Sequence, residues 1–224
     1  MLAHNTRKRN KNQLLGFKMT FLNIAEICPT TRTLGPGQRF AIWVQGCCFS
    51  CRNCISPDWV PVKEAMLVQP EKLANLILST PGTQGITISG GEPMLQAEAL
   101  LELLVLLKQQ QDLSIICFTG FTLEQLRTKY DPSINGFLQI IDVLIDGQYI
   151  PELNDNQGWR GSSNQVVHFL SPRYQAEASL FLERKRNIEI HLRNDCALMV
   201  GIPPQMFEGM LEQTLHNVKL NFPT

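Results

Sequence analysis

The sequence predicts an α/β fold: a partial, open β/α barrel of mainly parallel strands, with a C-terminal hairpin and helix as an extension. Three observations predict it. Between residues 39 and 145, apolar runs of strand length alternate with amphipathic runs of helical length. Several of these strands end on a polar motif that carries glycine or cysteine. No repeat and no Pro- or Ser-rich linker divides the chain, so residues 19–224 read as one domain with an extension from about 180. A β-α-β-α rhythm implies right-handed crossovers and a parallel sheet. Ligands of such sheets sit beyond the carboxyl ends of the strands.

The elements follow in order. "RFAIWVQ" (39–45) is a continuous apolar run suited to a buried parallel strand, and it runs straight into "GCCFSCRNC" (46–54). A helix is expected over 70–79, with Pro70 in its first turn and Leu73, Leu76 and Ile77 on one face. "GITIS" (85–89) is a β-branched strand ending on "GGEP". The helix over 96–109 carries Leu100, Leu103, Leu104 and Leu107 at helical spacing. "LSIICF" (113–118) ends on Thr119-Gly120, and Thr122 reads as the N-cap of a short helix, 123–130. "LQIIDVLI" (138–145) reads as a fourth strand, ending on Asp146-Gly147. Beyond 150 come a polar loop (154–165), a strand-like "VVHFL" (166–170), a hairpin within 187–203 turning at Asn194-Asp195, and an amphipathic helix over 204–217. Four candidate motifs thus converge on one mouth.

Bulk properties exclude several classes. The 224 residues carry 20 basic and 20 acidic side chains, which argues against a nucleic-acid footprint. The longest apolar runs, such as 99–107, fall short of the roughly 18 residues of a membrane span. The basic first 18 residues lack an apolar signal core and read as a disordered leader, with Met1 and Met19 both possible starts. No membrane and no nucleic acid are expected, and the setting is cytoplasmic. Seven cysteines in such a chain are not a disulfide framework. Cys28, Cys117 and Cys196 read as buried thiols among apolar neighbours.

The four cysteines at 47–54 allow three readings. Cys47, Cys48, Cys51 and Cys54 could close a zinc tetrahedron, although structural zinc sites usually split their ligands into separated knuckles. Cys48, Cys51 and Cys54 begin a ferredoxin-type C-x2-C-x2-C-x3-C-P run, but Asp58 stands where the fourth cysteine belongs. Cys47, Cys51 and Cys54 could instead hold three irons of a [4Fe-4S] cube, with Cys48 a packing residue and the fourth iron open to a substrate.

In the third spacing the chain resembles the radical S-adenosylmethionine (SAM) superfamily, whose signature is C-x3-C-x2-C. "GGEP" one strand later occupies the place of the superfamily's GGE motif, which binds the SAM amino group. Two glycines let a backbone approach a ligand, and Glu92 offers a carboxylate to an ammonium. "GPGQRFAIWVQGC" (35–47), "FTGFTLEQL" (118–126), "DVLIDGQY" (142–149) and "WRGSSNQ" (159–165) resemble, in order and spacing, the activating enzymes of glycyl radical enzymes, the anaerobic ribonucleotide reductase activators above all. The resemblance implies Cys47, Cys51 and Cys54 as cluster ligands. It places Gly90, Gly91, Glu92 and Pro93 at the methionine part of SAM, Asp146 near the ribose and Thr119 in the same pocket. It implies a radical SAM oxidoreductase that cleaves SAM reductively to a 5′-deoxyadenosyl radical. Its partners would be a glycyl radical enzyme and a flavodoxin- or ferredoxin-like electron donor. A radical SAM enzyme acting on another peptide or small molecule, and a non-catalytic iron–sulfur electron carrier, are the alternatives.

The chain departs from the superfamily at Asn53, where an aromatic is common before the third cysteine, and at Leu34, where an acidic residue often precedes G-P-G. Trp43 reads as core. Arg39 reads either as a support of the loop or as a solvated flank, Arg160 as a partner contact or a carboxylate pair, and "ERKR" (183–186) as a solvated charge run.

Overall fold

The structure, a computed structural model, describes residues 20–194, 196–207 and 209–213. The expected leader, 1–18, lies outside the described residues, as do Met19, Asp195 and positions 214–217 of the last expected helix.

Seven strands form one sheet: β1 (Leu22–Thr31), β2 (Arg39–Val44), β3 (Met66–Val68), β4 (Gly85–Gly90), β5 (Ser114–Phe118), β6 (Val143–Asp146) and β7 (Val166–Phe169). Their order is β3-β1-β2-β4-β5-β6-β7. The four central strands, β2, β4, β5 and β6, are parallel; β1 and β7 flank them antiparallel, and β3 pairs antiparallel with β1 at the outer edge. The sheet is not closed. β8 (Ile188–Leu192) and β9 (Ala197–Gly201) form the expected hairpin as a separate antiparallel pair.

The central strands follow one another without reversal, so right-handed crossovers put their helices on one face. These are α1 (Pro70–Leu78), α2 (Ala97–Lys108), α3 (Leu123–Thr128) and α4 (Pro132–Ile140). Alternation along the strands divides the core accordingly. Ile86 and Ile88 of β4, Ile115 and Cys117 of β5, and Leu144 of β6 pack with Leu73, Leu100, Leu103, Leu104 and Leu107 of the helices. On the opposite face, Ala41 and Trp43 meet Val200 of β9, while Ile116, Val143 and Ile145 meet Trp159 and Phe181. Phe181 lies on a further short helix, α5 (Ala178–Leu182). The C-terminal segment therefore covers the sheet face that the helices leave open.

Four expectations are corrected here. Residues 138–140 are helical and not strand: Asp131 caps α4 by accepting from the Ser133 and Ile134 amides, Pro132 takes its first position, and β6 begins only at Val143. Leu76 faces solvent, and the buried stripe of α1 is Pro70, Leu73, Ala74 and Ile77. Cys196 is exposed. Arg39 is fully buried: its guanidinium donates to the Ile86, Pro36 and Ser114 carbonyls and to the Thr87 and Ser114 hydroxyls.

Candidate functional site

The cysteine loop leaves the carboxyl end of β2 and returns to its own stem. Gly46 N–H donates to the Trp59 carbonyl (2.8 Å) and Cys47 N–H to that of Val60 (2.9 Å), while the Gln45 amide donates to the Pro61 carbonyl (2.7 Å). These bonds close residues 46–60 into a compact loop whose ends are fixed. Cys47, Cys51 and Cys54 are half-buried free thiols; Cys48 is exposed. Burial pushes the Cys47 thiol up to about 11 and also raises that of Cys51. Asn53 stands at φ +55°, a left-handed conformation that Asn adopts more readily than most side chains.

The Gly-Gly edge lies directly against this loop. Glu92 N–H donates to the Gly46 carbonyl (2.8 Å), and Gly91 N–H to that of Val44 (2.8 Å). A Cβ on Gly91 would collide with the Gly46 carbonyl. Position 91 is therefore glycine first because the stem of the cysteine loop passes there.

Glu92 itself lies inside the protein at this edge. Its side chain is fully buried, and its carboxylate accepts from Met94 N–H (2.9 Å), the Thr119 hydroxyl (2.7 Å) and Gly120 N–H (2.8 Å). Burial raises this carboxyl above the ordinary range, and the three donors pull it back. The side chain is thus a brace between the ends of β4 and β5. Pro93 is buried at the start of the turn that leads into α2.

Thr119 joins this brace, but Asp146 does not reach it. Asp146 alternates with Ile145 and so falls on the helix face of β6 with Leu144. It is buried, and its carboxylate accepts from Leu123 N–H (2.6 Å) at the start of α3, from Val166 N–H (3.3 Å), and pairs with His168 Nε2 (2.8 Å). Both oxygens are hydrogen-bonded within the protein.

Three residues at the mouth escaped the sequence reading. Phe49, inside the cysteine loop, packs edge-on against Phe121 (4.8 Å between ring centres) and over Gly120. The Gln148 side chain lies 4.0 Å from Cys51 Sγ. Asn164 donates to the Gln148 carbonyl (2.8 Å), but its own side-chain oxygen is buried without a partner. All three lie inside stretches quoted above, "GCCFSCRNC", "DVLIDGQY" and "WRGSSNQ", but none was singled out there. Arg160 pairs with Asp155 (2.6 Å), and Arg186 of the supposed solvated run is buried beneath the same loop, donating to the Arg160 and Gly161 carbonyls.

The donor chemistry can be tested against a cluster. Three soft thiols on one loop suit an iron–sulfur group. Among the described residues, no three Cys, His, Asp or Glu side chains converge tightly enough for a single ion. The unpartnered Asn164 oxygen and the glycine edge beside the loop are consistent with a polar ligand at the same mouth.

Comparison with known proteins agrees. A family model described as a 4Fe-4S single cluster domain matches residues 33–168. The chain is 34% identical over 155 residues to the anaerobic ribonucleoside-triphosphate reductase-activating protein of Vibrio cholerae, covering 66% of this chain and 97% of that one. The protein of the same description from Haemophilus influenzae shows the same identity and coverage. Among solved structures, QueE from Escherichia coli is similar at a TM-score of 0.37 and 20% identity, covering 46% of this chain and 54% of the other. That last likeness is too distant to add to the argument. The chain belongs to the 4Fe-4S single-cluster domain family, and within it groups with these activating proteins. The cofactor that the family description names is a 4Fe-4S cluster.

Proposed function

We propose that this chain is the activating enzyme of a glycyl radical enzyme of the anaerobic ribonucleotide reductase type. The observation that carries the reading is the Glu92 N–H to Gly46 carbonyl bond, which joins the cysteine loop to the Gly-Gly edge at the carboxyl ends of adjacent parallel strands. In this reading Cys47, Cys51 and Cys54 hold three irons and leave the fourth without a protein ligand. When bound, the cluster and SAM supply a one-electron cleavage giving methionine and a 5′-deoxyadenosyl radical, which takes a hydrogen atom from a glycine Cα of the partner.

The chain's own residues position and exclude. The Gly90–Gly91 backbone edge forms the floor for the methionine part of SAM, and Pro93 sets the turn behind it. Glu92 and Thr119 hold that floor to the end of β5. Asp146 fixes the start of α3 under the pocket. Raised thiol values mean that ligation expels protons, so iron uptake strengthens with pH. The sheet acts as the wall of an open β/α barrel within a single domain over 19–224. The setting is cytoplasmic, with a flavodoxin- or ferredoxin-like donor. Among the described residues no helix is long and apolar enough to cross a membrane.

The test is anaerobic reconstitution with iron and sulfide, followed by a SAM-cleavage assay and mixing with a candidate glycyl radical enzyme. The reading expects 5′-deoxyadenosine, methionine and a glycyl radical signal on the partner. Cleavage without that signal on any such partner favours a different substrate. No cleavage defeats the radical reading altogether.

A further inference from the structure

At the amino ends of the parallel strands, opposite the cysteine loop, lies an open pocket of about 420 Å³. Its floor is the turn Gly35–Gln38 that leads into β2, with Gln84 just before β4; Trp159, Leu180 and Arg184 close one side and Arg32 another. The volume falls in the range of small-molecule sites, about 300–1,000 Å³.

The charges around it are one-sided. Arg32 and Arg184 line it, and no carboxylate does among the described residues. Arg184 lies over the Trp159 ring, 4.7 Å from its centre, and is held there by Asn187 (2.8 Å). Arg32 engages Glu189 through its backbone N–H (2.9 Å), leaving its exposed side chain beside the opening. Directly beneath the turn, the buried Arg39 donates to the Pro36 carbonyl (3.1 Å), and its other hydrogen-bond acceptors are neutral. Two guanidinium groups therefore line one opening, with no carboxylate among its lining residues, and the fully buried Arg39 lies behind its floor. Leu180 and Arg184 lie beyond residue 168, where the family match ends, so the pocket forms only where the C-terminal segment meets the family body.

We propose that this pocket binds a small phosphate-bearing molecule, with Arg32 and Arg184 as its ionic partners. Guanidinium forks match phosphate oxygens bidentately, and an apolar wall beside two such forks suits a phosphate carried on a small organic body. The site is separate from the proposed SAM mouth at the far end of the strands.

Isothermal titration of the full, anaerobically reconstituted protein with inorganic phosphate, pyrophosphate and ATP tests this. The expected result is saturable one-to-one binding of at least one probe, weakened by added salt. Phosphate alone sufficing points to free anion; a requirement for ATP points to a nucleotide. Arg32→Glu and Arg184→Ala should each weaken binding tenfold or more, about 1.4 kcal/mol. Arg32→Glu, on an exposed side chain, carries the test if Arg184→Ala unfolds the protein. Binding should survive Cys47→Ala, so the outcome does not depend on the cluster reading. Three results overturn the proposal: no saturable heat with any probe, affinity unchanged in Arg32→Glu, or affinity lost in Cys47→Ala but kept in Arg32→Glu, which would put the ligand at the SAM mouth.

Discussion

The Phe49 ring fills the space that a side chain on Gly120 would need: an ideal Cβ there would sit 2.5 Å from the ring. This contact ties the cysteine loop to the end of β5, two strands away from its own stem. Gly120 is held in turn by the Glu92 carboxylate through its N–H (2.8 Å). Loop, Gly-Gly edge and β5 terminus thus form one braced unit before any cofactor is bound.

Gly120→Ala overpacks this contact. The expected cost is about 1–3 kcal/mol of stability in the iron-free protein, together with lower iron occupancy after reconstitution. Phe49→Leu should restore part of both in the double variant. Additive losses in the melting temperature of the double variant would mean that the two residues do not meet.

Glu92→Ala leaves two backbone N–H groups and a hydroxyl without their acceptor. At about 1–3 kcal/mol for each orphaned donor, the loss should exceed that of any single surface change, and urea denaturation of the iron-free protein measures it. Were Glu92 instead a ligand of SAM alone, the stability of the iron-free protein would be untouched.

The same residue predicts a pH dependence. Burial raises the Glu92 carboxyl in the folded state above its unfolded value, so the folded protein holds that proton more tightly. The stability it contributes is fully present below the ordinary carboxylate range and is lost as pH rises through the raised value. The stability of the wild type relative to Glu92→Gln should therefore fall over that window and level off above it. Parallel curves for the two proteins in urea midpoint against pH would contradict this.

Arg39→Lys keeps the charge but cannot serve the five acceptors that surround the buried fork. The expected loss is at least about 3 kcal/mol, read by chemical denaturation, because several buried carbonyls lose their donors together. A loss below about 0.5 kcal/mol, ordinary for a surface site, would contradict the burial.

What the sequence made legible was periodic or local. The parallel core strands, the leucine stripe of α2 and the Thr122 cap follow from spacing, and so does the convergence of motifs at the strand ends. Arg39 looked like a flank because its acceptors arise at Thr87 and Ser114, 48 and 75 residues along the chain. Leu138–Ile140 looked like strand because a short apolar run fits a buried helix end equally well, and the Asp131-Pro132 start signal was passed over. Asp146 sat at the right strand end, but alternation turned it to the helix face, and only the extent of β6 fixes that parity.

The central claim concerns which three cysteines serve. Iron and acid-labile sulfide content after anaerobic reconstitution, with the reduced-cluster electron paramagnetic resonance signal, tests it most directly. Cys47→Ala, Cys51→Ala and Cys54→Ala should each lose the cluster and SAM cleavage, while Cys48→Ala, on the exposed thiol, keeps both. A Cys48→Ala protein that loses its cluster as completely as the other three would contradict the account.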